Sequence, residues 1–275
     1  MKILRTPDSK LRTIIGWSDG MLAVERRKKI IELIHQKKSV LVPELSKLFA
    51  VTEETIRRDL EKLEQQGVLV RTYGGATLPD ESVNEIPVEE RQTINYEGKD
   101  IIGRTAAKLI KEGETIFLDA STSSLHVARH IKDRKGITVI TNAEKVVAEL
   151  SKSDGINVIC IGGVLRKNSL SYVGRVAENT ILNNYYANKT FLSCRGVTLN
   201  RGLTDSNEQE AEIKKAMMEC SDSVVFLCDH SKFGKLGFPI LASLDEIDYF
   251  VTDVEMDKEW QDELKKKKVE IIMAS

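Results

Sequence analysis

With 275 residues, 41% of them apolar and 30% charged, the chain has room for two domains and enough apolar material for a sizeable core. No apolar run approaches the ~18 residues that span a bilayer, so neither a membrane helix nor a membrane partner is expected. The formal net charge of −1 is unevenly divided, because residues 21–76 hold 11 Lys/Arg against 8 Asp/Glu while residues 77–275 hold 26 against 32. That asymmetry turns the N-terminal part toward a polyanion.

Residues 1–20 carry Lys2, Arg5, Lys10 and Arg12 but only Ile14-Ile15 as an apolar run. They lack a signal-peptide core, form an extension of no assigned role, and imply a cytoplasmic location. From Met21 to Lys38, Leu22, Ile30, Ile31 and Ile34 recur at helical spacing among Arg26, Arg27, Lys28 and Lys29, which predicts an amphipathic helix. Ser39 and the short run Val40-Leu41-Val42 end it. Pro43 suits the first turn of a second helix reaching Phe49. Thr52 then caps a third helix, with Glu53 and Glu54 at its positive end and Gly67 as its stop. Val68 to Tyr73 reads as a strand closed by the turn pair Gly74-Gly75. Three helices and a hairpin over residues 21–76 make a winged helix-turn-helix. Residues 77–98, polar and containing Pro79 and Pro87, read as a linker with helical stretches.

Beyond residue 98 short β-branched runs alternate with helical patterns. Strands are predicted at Thr115–Leu118, Ile137–Ile140, Ile156–Ile161, Thr190–Ser193, Val224–Leu227, Tyr249–Thr252 and Val269–Ile272. Helices are predicted near Leu125–Ile131, Ala143–Leu150 and Glu208–Cys220, with Lys265–Lys268 on the solvated face of a last one. The predicted fold class is therefore α/β: an N-terminal winged helix-turn-helix followed by a larger α/β domain, residues 99–275, with a mostly parallel sheet. Cys160, Cys194, Cys220 and Cys228 form no C-x-x-C pair and are taken as packing residues. His126 and His130 have i, i+4 spacing, but Val127 stands where an H-E-x-x-H zinc motif needs glutamate, so no metal or other cofactor is expected.

On the third helix Ile56, Leu60 and Leu63 share one face, which leaves Glu54, Thr55 and Arg58 on the other and Arg57 on the flank. These are residue types that reach base edges and phosphates when a helix enters the major groove. The stretch Val51-Thr52-Glu53-Glu54-Thr55-Ile56-Arg57-Arg58-Asp59-Leu60, followed by Arg71-Thr72-Tyr73-Gly74-Gly75-Ala76, strongly resembles the DeoR family of bacterial repressors. The resemblance extends over roughly Met21 to Asp253. It implies double-stranded operator DNA as partner, contacts from Thr52, Thr55, Arg57 and Arg58, and Arg71 and Tyr73 near the DNA on the wing. Leu41 departs from the pattern, since the family usually has a small polar cap there.

In the second domain the strand ends deliver Asp119-Ala120-Ser121-Thr122-Ser123-Ser124, Thr141-Asn142 and Gly162-Gly163. A parallel sheet gathers such turns at one edge, where helix N-termini favour anions. The resemblance adds a sensor domain similar to ribose-5-phosphate isomerase, with the family's T-N, G-G and D-H-S-K motifs intact at Thr141-Asn142, Gly162-Gly163 and Asp229-His230-Ser231-Lys232. Ser121 stands where glycine is common. Chemically, Ser121, Thr122 and Ser123 suit a phosphate, Asp119 and Asp205 suit sugar hydroxyls, and Lys232 supplies a cation. A repressor of a sugar operon, released by a phosphorylated sugar and assembled as a dimer or tetramer, is the function implied. The alternatives are a sugar-phosphate isomerase, if Asp119, Asp205 and Lys232 converge to move protons, and an activator using the same DNA element.

Overall fold

The computed structural model describes residues 23–37, 39–65, 69–77 and 85–275, with two compact units dividing between Asn84 and Glu85. The extension 1–20, the helix stop at Gly67 and residues 78–84 of the expected linker lie outside the described residues.

In the first unit α1 (Ala23–Lys37), β1 (Ser39–Leu41), α2 (Val42–Phe49) and α3 (Glu53–Gln65) are followed by the hairpin β2 (Val70–Thr72) and β3 (Gly75–Thr77). Ile30, Ile34, Leu45, Phe49, Ile56, Leu60 and Leu63 meet in its core, one apolar stripe from each helix. The Val40 run does more than end α1. It pairs antiparallel with β3, which also pairs with β2, giving a three-stranded sheet. Alternation explains this: Val40 is buried while Ser39 and Leu41 face out. Gly74, at φ +89°, turns the wing. Leu41 offers α2 no side-chain cap, and the Gly74 carbonyl instead accepts the Val42 N–H at 2.9 Å. The wing thereby satisfies one of the helix's first donors.

The second unit opens with α4 (Val88–Thr93) and α5 (Tyr96–Ala107), so compact structure begins inside the stretch 77–98. Then come β4 (Thr115–Leu118), α6 (Thr122–Ile131), β5 (Ile137–Thr141), α7 (Glu144–Leu150) and β6 (Ile156–Cys160). A hairpin of β7 (Val164–Arg166) and β8 (Ser171–Val173) leads to α8 (Arg175–Asn184), β9 (Lys189–Leu192), β10 (Gly196–Thr198), β11 (Gly202–Thr204) and α9 (Glu208–Glu219). The chain finishes with β12 (Val224–Cys228), β13 (Ile240–Ala242), β14 (Tyr249–Thr252), α10 (Lys258–Lys266) and β15 (Glu270–Met273).

Seven of these strands form one parallel sheet in the order β15-β14-β12-β9-β4-β5-β6. Both faces are covered, as an all-parallel sheet requires. Ile116 and Leu118 pack with Ile102, Val127 and Val146 of α5, α6 and α7. Phe117 between them packs on the other side with Ala177 and Ile181 of α8 and Ile213 of α9. Successive strands run outward from β4 toward β6, and outward from β9 toward β15. The strand order therefore reverses between β4 and β9. A ligand crevice is expected at such a reversal, outside the carboxyl ends of the two strands.

Candidate functional site

In the first unit Thr52 caps α3, its Oγ1 accepting the Thr55 N–H at 3.2 Å and lying 2.8 Å from Thr55 Oγ1. Arg57 pairs with Glu53 at 2.8 Å and Arg58 with Glu54 at 3.4 Å, all on the solvent face of the helix. Arg71 on β2 donates through Nε to Glu64 at 2.7 Å. Exposed pairs of this kind are worth only about 0–1 kcal/mol, so exchanging them for phosphate contacts costs little. Tyr73 stands fully exposed at the tip of the wing. Asp59, in the same motif, is different. It is buried, and accepts Arg26 Nε at 2.6 Å and Arg27 Nη1 at 3.1 Å. Its work is to join α1 to α3, which leaves Thr55, Arg57 and Arg58 to face outward.

In the second unit a cavity opens where the strand order reverses, lined among others by Ser121–Ser123 after β4, Ser193 and Arg195 after β9, and Lys232 beyond β12. Ser121 caps α6, accepting the Ser124 N–H at 3.1 Å. The Thr122 and Ser123 hydroxyls, by contrast, have no hydrogen-bond partner among the described residues. Their backbone N–H groups belong to the first turn of α6 and have no intrahelical acceptor. Opposite them the buried Ser193 Oγ is also unpartnered. Lys232 Nζ makes no hydrogen bond to another described residue, and burial lowers its pKa although Asp229 pulls the other way.

Asp119 lies beneath this cavity, fully enclosed. Its Oδ1 accepts the Ser121 N–H at 3.1 Å and Ser124 Oγ at 2.6 Å, and its Oδ2 accepts the Ser193 N–H at 3.2 Å. The carboxylate ties the two loops together across the reversal. Asp205 reaches the cavity but is held by Lys214 Nζ at 2.5 Å and by the Ser206 N–H at 2.7 Å. Lys214 also lies 3.3 Å from Asp119. Burial alone would lower its pKa, but Asp205, Asp119 and Glu210 together hold it above the usual lysine range. Its ammonium is the counter-charge shared by Asp205 and Asp119. Cys194, between Ser193 and Arg195, is pushed up to about 12 by burial and presents a thiol, not a thiolate nucleophile.

Thr141, Asn142, Gly162 and Gly163 do not line the cavity. They end or follow β5 and β6, which lie on the far side of β4 from β9. There Thr141 Oγ1 donates to Leu118 O at 2.7 Å and accepts the Ala143 N–H, while Asn142 Nδ2 donates to Tyr172 O. Gly163, at φ +120°, passes so close to β8 that a Cβ would sit 2.8 Å from Val173 O. His126 and His130 both turn to Asp100 Oδ1, at 3.1 and 2.9 Å. Among the described residues no three His, Cys, Asp or Glu side chains are grouped to hold a metal ion, and no helix is long and apolar enough to cross a membrane.

The model of the DeoR C-terminal sensor domain matches residues 94–254, and that of the DeoR-like helix-turn-helix domain matches residues 26–82. The chain belongs to the DeoR family. The transcriptional regulator YulB of Bacillus subtilis is 44% identical over 251 residues, covering 91% of this chain and 96% of that one. The transcriptional repressor GlcR of Bacillus subtilis is 34% identical over 254 residues, 92% and 97% of the two chains. The transcriptional repressor AccR of Agrobacterium fabrum is 33% identical over 230 residues, 83% and 89% of the two chains. A solved ribose 5-phosphate isomerase from Methanocaldococcus jannaschii overlaps 50% of this chain and 55% of its own, at 16% identity and TM-score 0.38, too remote to bear on function.

As a DeoR-family member the chain is a DNA-binding transcriptional regulator and not an enzyme. The two carboxylates that line the cavity, Glu85 and Asp205, are paired with Arg166 and Lys214. The sequence alone did not single out Lys214, Ser193, Arg195 or Arg91. Lys214 and Arg91 sit on helices where a cation looks like ordinary solvated surface. Ser193 and Arg195 follow a strand end whose neighbour in the sheet the sequence does not reveal.

Proposed function

We propose that this DeoR-family regulator is a cytoplasmic repressor, acting as a homo-oligomer, whose first unit holds operator DNA and whose second unit releases it on binding a phosphorylated sugar. The observation that carries the reading is the set of groups lining one cavity that find no acceptor among the described residues: the Thr122, Ser123 and Ser193 hydroxyls, the first-turn N–H groups of α6, and Lys232. A helix N-terminus and a cation at one site favour an anionic ligand, and a phosphate dianion has acceptor oxygens for this many groups. Asp205 and Ser206 line the same cavity and are assigned to sugar hydroxyls on their chemistry.

A thermal-shift series on the full chain tests this, with pentose and hexose phosphates each set beside the unphosphorylated sugar. At about 100 times Kd a ligand stabilises the native state by ~2.7 kcal/mol, so a phosphorylated member should raise the melting temperature while its parent sugar does not. Equal shifts from both would discard the phosphate requirement. Deleting the gene should raise transcription of its targets, and a fall would mark an activator.

On the DNA side, α3 with Thr52, Thr55, Arg57 and Arg58 is assigned to the major groove, and Arg71 and Tyr73 to the wing contact. Arg58→Ala is expected to cost about 1–3 kcal/mol of operator affinity and to relax preference at one base position, the worth of a good base contact. Binding should weaken steeply with salt as counterions are released. Titration of parent and variant with operator and single-base variants reads both, and parental affinity and preference in Arg58→Ala would remove that side chain from the interface.

A further inference from the structure

We propose that residues 85–95 form an effector-responsive wall of the cavity and that Arg91, carried on this wall, is a ligand for the effector's phosphate. The proposal rests on the phosphorylated-effector reading above. Most of the cavity lining is fixed by the sheet, because Ser121–Ser123, Ser193–Arg195 and Lys232 continue from or lie just beyond adjacent parallel strands. Glu85, Ile86 and Arg91 also line it but are carried by α4 and its lead-in, which belong to no strand.

This wall is attached chiefly by polar contacts. Glu85 pairs with Arg166 of the β7–β8 hairpin and accepts Asn168 Nδ2 on its carbonyl at 3.1 Å, while the Val88 N–H donates to Asn168 O at 2.9 Å. At the other end Lys99 Nζ donates to the Arg91 and Ile94 carbonyls, each at 2.7 Å. Asn95 Nδ2 reaches Asp229 Oδ1 and Asp253 Oδ2, both at 3.2 Å. Val88 is the buried apolar anchor of α4. Polar attachments of this kind can be exchanged for bonds to a ligand at small net cost as long as no buried group is left unpaired, an exchange a packed core does not offer.

Arg91 has one of its five guanidinium N–H donors engaged among the described residues. Its Nε donates to Ile86 O at 3.0 Å, which sets the plane of the guanidinium, and its two Nη groups have no hydrogen-bond partner among the described residues. The unpartnered, buried Ser193 Oγ shares the cavity with them. Two such groups in one cavity call for an acceptor-rich ligand, and a planar guanidinium suits phosphate oxygens two at a time. A dianion bound there is drawn to Arg91 and repels Glu85, so its binding energy depends on where the wall stands. A ligand shifts an equilibrium only through such differential contact. Residue 85 is also the first of the second unit, so the wall is the part of that unit nearest along the chain to the first.

Inorganic phosphate is the probe, titrated into the full chain with binding followed by phosphorus NMR and backbone order by amide hydrogen exchange. Phosphate should bind the parent and slow exchange in residues 85–95. Arg91→Gln should bind it about ten- to a hundredfold more weakly, the range for one charge-assisted contact, and show no slowing even when occupancy is restored with more phosphate. Arg91→Lys should recover part of the affinity, and it decides the matter if Arg91→Gln lowers the melting temperature of the unit. Parental phosphate affinity in the Arg91 variants, together with its loss in Lys232→Gln, would overturn the role of Arg91 and leave the phosphate reading standing. Failure of the parent itself to bind phosphate would overturn both.

Discussion

Lys214→Met is expected to lower the stability of the second unit by about 3–5 kcal/mol, the usual consequence of removing one partner from a buried ion cluster. Lys214 is only 6% exposed, and its ammonium lies 2.5 Å from Asp205 and 3.3 Å from Asp119 while donating to Ser193 O at 2.8 Å. Met fills a similar volume, so the loss is electrostatic and not a cavity. Two carboxylates would then share a buried site with no cation between them, and Asp119 organises both loops of the cavity. For a unit of this size ~1 kcal/mol moves the midpoint by roughly 2–4 °C, so calorimetry should show the transition falling by about 10 °C. Adding Asp205→Asn to Lys214→Met should restore part of the loss, because it removes one of the stranded charges. A shift below about 2 °C in the single variant would mean that the carboxylates are held without Lys214. Effector-triggered release should fail in any case, since the loop carrying Thr122 and Ser123 is positioned through Asp119.

The uneven visibility of these features in the sequence has physical causes. Strands β4, β5, β12 and β14 are legible because burial on both faces demands runs such as Thr115-Ile116-Phe117-Leu118. β1 is three residues long, too short for a period to declare itself, and is made a strand only by β3 lying beside it. Much of α5 hides for another reason: Gly98, Lys99, Gly103 and Thr105 are buried in it although none is an apolar signal. Gly103 lets α5 close on α6, where a Cβ would lie 2.6 Å from His126 Cβ. At the cavity, Ser121–Ser123 and Lys232 are legible as strand-end chemistry. Which strand ends meet depends on sheet order, and that order separates Thr141-Asn142 and Gly162-Gly163 from the reversal between β4 and β9. Asp119 was visible as a polar strand end, yet only the structure shows its oxygens turned to Ser121, Ser124 and Ser193 instead of toward a sugar.

Asp59→Ala should abolish operator binding outright, although its side chain is buried and does not lie on the solvent face of α3. Its residue is 4% exposed, and its two oxygens take Arg26 and Arg27 from α1 while its own helix, α3, carries Thr55, Arg57 and Arg58. Loss of the carboxylate leaves the Arg26 guanidinium, itself 7% exposed, without this counter-charge inside the unit. Breaking a buried pair from one side costs up to about 3–5 kcal/mol, and here it also removes the polar tie between α1 and α3. The first unit has a short core, resting on residues such as Ile30, Ile34, Ile56 and Leu60. Domains of this size bury too small a fraction of their surface to hold much more than that in reserve. The variant should therefore populate an unfolded first unit, with circular dichroism losing its helical share while the calorimetric transition of the second unit persists. Arg58→Ala, which alters an exposed side chain of the same helix, should leave both transitions in place and weaken DNA binding only by its own contact. The two variants separate a residue that builds the reading helix from one that uses it. Parental operator affinity in Asp59→Ala would show that α1 and α3 stay joined by their apolar stripe alone.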